Sequence, residues 1–251
     1  MKINIARITI LITALLPLLL IVPQTALAAA DQDIYATLLK KHVTDGRVDY
    51  RGFKKDEALL DQYLSQAGRT QPDRLDRDSQ MAFYINLYNA ATIKLILTAY
   101  PDIHSIKELG SLFKSPWKKA FIHLNGQTIT LDHIEHEILR PRFKDPRVHF
   151  AVNCASKSCP PLLNEPYTAD KLNVQLNQAA SDFINDPHSN YIQGDTLYVS
   201  RIFKWFNEDF NNDVKGFFLK YARGDLKRQL ETRASTLKVA YLDYDWSLNG
   251  A

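Results

Sequence analysis

The stretch from Ser79 to Tyr100 constrains this chain more than any other. Phe83, Tyr84, Ile85, Leu87, Tyr88, Ala90, Ala91, Ile93, Leu95, Ile96 and Leu97 make it apolar on nearly every side. A helix without a polar face has to be enclosed by other elements. The pattern therefore predicts a central, buried helix, stopped by Pro101. Asn86 and Asn89 interrupt it three residues apart. A buried amide left without a partner costs on the order of 1–3 kcal/mol. These two either bond backbone elsewhere in the core or line a pocket, where an amide orients an imidazole or donates to an oxyanion.

Apolar spacing predicts further helices over 33–43, 56–67, 131–140, 170–184, 203–210, 214–221 and 226–232. Asn125-Gly126 and Gly194-Asp195 are two-residue turn signals for hairpins, and 148–153 and 237–242 read as strands. With no Gly/Ser-rich linker, low-complexity tract or repeat, the expectation is one helix-rich α+β domain. It carries a small, mostly antiparallel sheet and one central buried helix.

The N-terminus reads as an address. Lys2 and Arg7 precede an apolar run from Ile8 to Val22, and Ala26-Leu27-Ala28 follows as a small-x-small processing site. The run is shorter than the roughly 20 residues of a bilayer span. A secretory signal over 1–28 is expected, cleaved after Ala28 or Ala30, with a single domain over 31–251. The mature chain is then periplasmic or secreted and has no membrane span. Removing Lys2 and Arg7 takes the net charge from +3 to +1, and a near-neutral domain has no footprint for nucleic acid.

Chemistry concentrates in the middle. The two cysteines, Cys154 and Cys159, share one loop. In an oxidising compartment such a pair commonly forms a disulfide, contributing roughly 2 kcal/mol. Alternatively one is a thiolate nucleophile, which needs a base or positive field nearby. His149 is one candidate base. On the expected strand it shares a face with Asn153, and Cys154 points the other way. His136, preceded by Glu135, is the second. The His-Ile-Glu-His order from His133 matches neither usual two-His zinc pattern, so no metal and no cofactor are expected.

At these segments the chain resembles a known family. The similarity runs through Ala82–Ala90, Leu131–His136, Asp145–Ala151 into Cys154 and Cys159-Pro160-Pro161, Ser200–Phe206 with Asp209-Phe210, and Tyr244–Asn249. The chain is similar to domain of unknown function 547, whose members occur in bacteria, often behind export signals, and within longer plant and animal proteins. The resemblance maps the family's two cysteines, Glu-His pair and Asn-rich helix onto Cys154, Cys159, Glu135, His136, Asn86 and Asn89. Phe206 stands where the family more often has Tyr.

The leading expectation is a thiol-dependent hydrolase of an amide or peptide bond, papain-like or transglutaminase-like. Cys154 would attack, His136 would be base oriented by Glu135, and Asn86 or Asn89 would polarise the carbonyl. Cys159 is the alternative nucleophile or the disulfide partner. The rival is a non-enzymatic, disulfide-stapled module whose Trp205, Tyr88 and His149 line a ligand groove beside Asn153. Redox work by the pair is weaker, because the four-residue spacer is not Cys-x-x-Cys. Either leading reading takes an unidentified small molecule or peptide as partner.

Overall fold

A computed structural model describes residues 24–111 and 114–250 of the chain. Most of the expected leader, 1–28, lies outside the described residues. Helix α1 (Gln24–His42) is followed by a small ribbon, β1 (Val43–Thr44) and β2 (Arg47–Val48). Helices α2 (Tyr50–Lys55), α3 (Glu57–Ala67) and α4 (Arg77–Leu97) come next. Asp49 caps α2, its Oδ1 accepting from the Gly52 N–H at 2.9 Å.

Helix α4 is the predicted central one. Asp76 opens it by accepting from the Asp78 and Ser79 amides. Met81, Ile85, Leu87, Ala90, Ala91, Ile96 and Leu97 are then fully enclosed. Helices α2 and α3 and the segment after residue 131 pack around it.

The hairpin β3 (Ile122–Leu124) and β4 (Gln127–Ile129) forms at the predicted turn. Asn125 and Gly126 both take positive φ, 49° and 80°, as a type I′ turn requires. Thr130 Oγ1 accepts from the His133 amide and starts α5 (Leu131–His133). The chain continues from Ile134 to Phe143 as a wider, π-type helix with Pro141 inside it. Such stretches recur at functional sites.

The expected strand at 148–153 does not form. Pro146–Phe150 is a 3₁₀ helix whose cap, Asp145 Oδ1, accepts from the Arg147 amide. The alternating apolar pattern here reflects residues buried against two different cores, since Val148 packs in the α4 core and Phe150 in a second one.

That second core lies under α6 (Leu172–Ile184), α7 (Ile202–Trp205), α8 (Val214–Tyr221) and α9 (Gly224–Arg233). Phe150, Phe183, Phe203, Phe210 and Phe218 fill it. Beside it β5 (Tyr191–Gln193) pairs antiparallel with β6 (Thr196–Val199), which pairs in parallel with β7 (Lys238–Tyr241). The result is the helix-rich α+β domain expected from the sequence. Among the described residues, no helix is long and apolar enough to cross a membrane.

Candidate active site

A cavity of about 250 Å³ opens between the two cores. Both thiols, His149 and Tyr88 line it, with Asp132 from α5 and Glu135 and His136 from the start of the π-type segment. Trp117, Trp205, Phe206, Tyr244 and Trp246 close it with aromatic surface. The rings lean on one another, Tyr244 lying 4.5 Å from Trp246 and 4.8 Å from Trp205 between centroids. Packing of this kind holds a wall in place without covalent bonds.

The thiol loop is held by amides and by the C-terminal segment. Asn153 Oδ1 accepts from the Ala155 N–H and from Asn249 Nδ2, and its own Nδ2 donates to the Pro160 carbonyl. Lys157 and Ser158 amides donate to the carbonyls of Ser247 and Asp245. These ties hold Ala155, next to Cys154, at φ 62°. A non-glycine residue in that region costs on the order of 1 kcal/mol and persists only where its surroundings enforce it.

Both cysteines are free thiols. The Cys154 amide donates to Cys159 Sγ at 2.9 Å. Cys154 Sγ lies 3.0 Å from Ser156 Oγ and 3.1 Å from the Tyr244 hydroxyl. A hydrogen bond from the Cys159 thiol is the largest influence on Cys154. With Ser156 and Tyr244 it outweighs burial and brings the Cys154 thiol down to about 7. Burial, reinforced by Cys154, pushes Cys159 the other way, well above an ordinary thiol. One sulfur is thus disposed to ionise and its neighbour to keep its proton.

Behind the cavity, His149 Nε2 meets Asp209 Oδ2 at 2.7 Å. Arg140 donates to both oxygens of the same carboxylate, through Nε at 2.6 Å and Nη2 at 3.1 Å. Burial opposes the charge on Asp209, but the bonds from His149 and Arg140 outweigh it and hold its carboxyl well below the usual range. The His149 ring stacks on Phe206 at 4.0 Å. A carboxylate only accepts, so in the neutral His149 ring the proton belongs on Nε2 and Nδ1 keeps a lone pair.

His136 has the opposite arrangement. Arg140 Nη1 lies 2.9 Å from His136 Nδ1. A guanidinium only donates, so in the neutral ring the proton belongs on Nε2 and no lone pair remains there to act as base. Asp132 Oδ1, 3.9 Å from that Nε2, is its other charged neighbour. Glu135 does not orient His136, because the two side chains leave their helix in different directions. Glu135 Oε2 instead accepts from the Tyr88 hydroxyl at 3.0 Å.

Of the residues singled out in the sequence, Cys154, Cys159, Glu135, His136, His149, Tyr88 and Trp205 share the cavity. Asn86, Asn89 and Asn153 do not line it. Asn86 bonds both backbone groups of Tyr167. Asn89 donates to the Ala151 carbonyl and accepts from the Asn153 amide. A buried amide matches a peptide group donor for donor, and backbone took these two first. Among the described residues, neither thiol is hydrogen-bonded to an imidazole.

Asp209, Arg140, Ser156 and Tyr244 carry roles that sequence reasoning missed. Asp209 stands between Phe206 and Phe210, and an acid enclosed by aromatic residues was its available signal. Tyr244 lies in a segment of the family resemblance, but nothing in the sequence tied it to the thiol, which it reaches from 90 residues away. Among the described residues, no group of three or more His, Cys, Asp and Glu is placed to hold a metal ion.

Residues 72–184 match the family described as "Protein of unknown function, DUF547", and the chain is similar to that family through this central part. The match includes both thiols, Glu135, His136 and His149 but ends before Trp205, Phe206, Asp209 and Tyr244. No curated protein and no solved structure matches the chain.

Proposed function

We propose that this chain is a thiol-dependent hydrolase of an amide or related acyl bond, with Cys154 as nucleophile and His149, oriented by Asp209, as base. The observation that carries this reading is the Cys154 sulfur, brought to about 7 in the cavity that His149 also lines. Cys154 Sγ attacks the carbonyl carbon, and the thiol proton passes to His149 Nδ1. The His136 Nε2–H is available to the oxyanion that forms. The tetrahedral intermediate collapses to a thioester as His149 returns the proton to the leaving amine. Water, deprotonated by His149, then attacks the thioester and releases the acid and the Cys154 thiol.

This reading moves the base from His136 to His149 and the orienting acid from Glu135 to Asp209. Its support is the hydrogen-bonding sense of Arg140 and Asp209 described above. The N-terminal charge and hydropathy pattern supports an exported, periplasmic or secreted location.

The test is acyl trapping. Incubation with p-nitrophenyl acetate, acid quench and peptide mass analysis should find an acetyl group on Cys154. Cys154→Ser should lose it and Cys159→Ser keep it. Acetylation confined to surface lysines would refute the nucleophile. Alkylation of the denatured protein without reductant decides the rival. Two blocked thiols remove the stapled module, whereas none would favour a binding site walled by Trp205, Tyr88 and His149.

A further inference from the structure

Among the described residues, the lining of the cavity holds two carboxylates and no lysine or arginine side chain. Asp132, from α5, and Glu135, from the start of the π-type segment, both line it. Glu135 is only 8% exposed. The Tyr88 hydroxyl bonds its Oε2. Among the described residues, its Oε1 has no partner and the carboxylate has no ion pair. A buried carboxylate is ordinarily matched by a cation, because desolvation without compensation is costly. Asp132 is little better served, with only the imidazole of His136 at 3.9 Å.

The aromatic wall points to the same ligand. Ring faces attract cations, and two are already docked on this wall. Lys107 Nζ sits 4.3 Å from the Trp246 ring centroid, and the Arg140 guanidinium 5.0 Å from that of Phe206. Trp205 remains 44% exposed. Carboxylates and ring faces lining one cavity form a receptor for an organic cation. The volume suits one side chain and the bond next to it.

We infer that the acyl compound attacked by Cys154 carries a positively charged ammonium or guanidinium group, seated against Glu135 and Asp132. This rests on the proposed thiol chemistry for the position of the scissile bond but not for the cation site itself. A neutral or acidic compound of the same shape would leave Glu135 uncompensated, so it should be rejected.

Three thiol reagents of different charge test this on the Cys159→Ser protein. They are 2-(trimethylammonium)ethyl, methyl and 2-sulfonatoethyl methanethiosulfonate. In each case the thiolate attacks the sulfenyl sulfur, forms a mixed disulfide and expels methanesulfinate. The cationic-to-anionic rate ratio at Cys154 should exceed that of free cysteine by about tenfold or more. Asp132→Asn and Glu135→Gln should each bring the ratio back towards the free-thiol value. A ratio equal to that of free cysteine, or one that neither substitution moves, overturns the inference.

A second measurement does not depend on the thiol. Phenethylammonium should perturb the intrinsic tryptophan fluorescence of the Cys154→Ala protein at concentrations where phenylacetate does not. Equal response to both overturns the cation site. If Cys154 resists all three reagents while phenethylammonium still binds selectively, the hydrolase reading fails and the cation site stands.

Discussion

Asn89→Ala separates a structural amide from a catalytic one. The side chain bridges α4 to the loop that delivers the thiols, through the Ala151 carbonyl at 2.9 Å and the Asn153 amide at 2.8 Å. Asn89 is 2% exposed, so water cannot replace it. Truncation leaves two buried backbone groups unpaired, each costing about 1–3 kcal/mol, or about 4 kcal/mol together. With a urea slope of about 2–3 kcal/mol per molar, the unfolding midpoint should fall by about 1.5 M. Urea titration followed by far-ultraviolet circular dichroism measures this. Iodoacetamide labelling of Cys154 should slow in the same variant, because Asn153, one residue before the thiol, loses its anchor. A variant with wild-type stability but no Cys154 reactivity would refute the reasoning, since Asn89 would then act on chemistry and not on the loop.

Four further outcomes follow from the site. Iodoacetamide labelling of Cys154 should rise with pH through a midpoint of about 7, because the thiolate forms above the thiol's pKa. Tyr244→Phe removes one donor to that sulfur and should move the midpoint upward; an unchanged midpoint would show that the hydroxyl does not serve the thiolate. Asp209→Asn should slow acetylation of Cys154 by about 10²–10⁴-fold, because the His149 tautomer is no longer set; a loss below threefold would exclude His149 as base. The folded-state pKa of Asp209 is depressed, so its stabilisation is complete above the ordinary carboxylate range and is lost as pH falls towards the folded value. The melting temperature should therefore drop more steeply in acid for the wild type than for Asp209→Asn.

Local signals made several elements readable. The run enclosing α4 is apolar around its whole circumference, and only a surrounded helix hides such a surface. Asn125-Gly126 names its own turn, because both residues must take positive φ. The thiols, Glu135, His136 and His149 stand out because reactive side chains within a short span are visible without coordinates. The helix before Pro141 was also visible, though its widening into a π-type stretch was not.

Which of those side chains serve chemistry was decided elsewhere. The choice between His136 and His149 depends on which ring nitrogen faces Arg140 and which faces Asp209, and Asp209 arrives from 60 residues beyond His149. Tyr244 and the strand-like C-terminal segment reach the thiol loop only because the second core packs against the first. Asn86 and Asn89 stood open between backbone partners and a place in the cavity, and peptide groups 62 to 81 residues away claimed them. Proton positions and buried hydrogen bonds belong to pairs of atoms, and when the partners are distant in sequence only tertiary packing decides them. Periodicity and turn chemistry are local, so the amino-acid order carried them by itself.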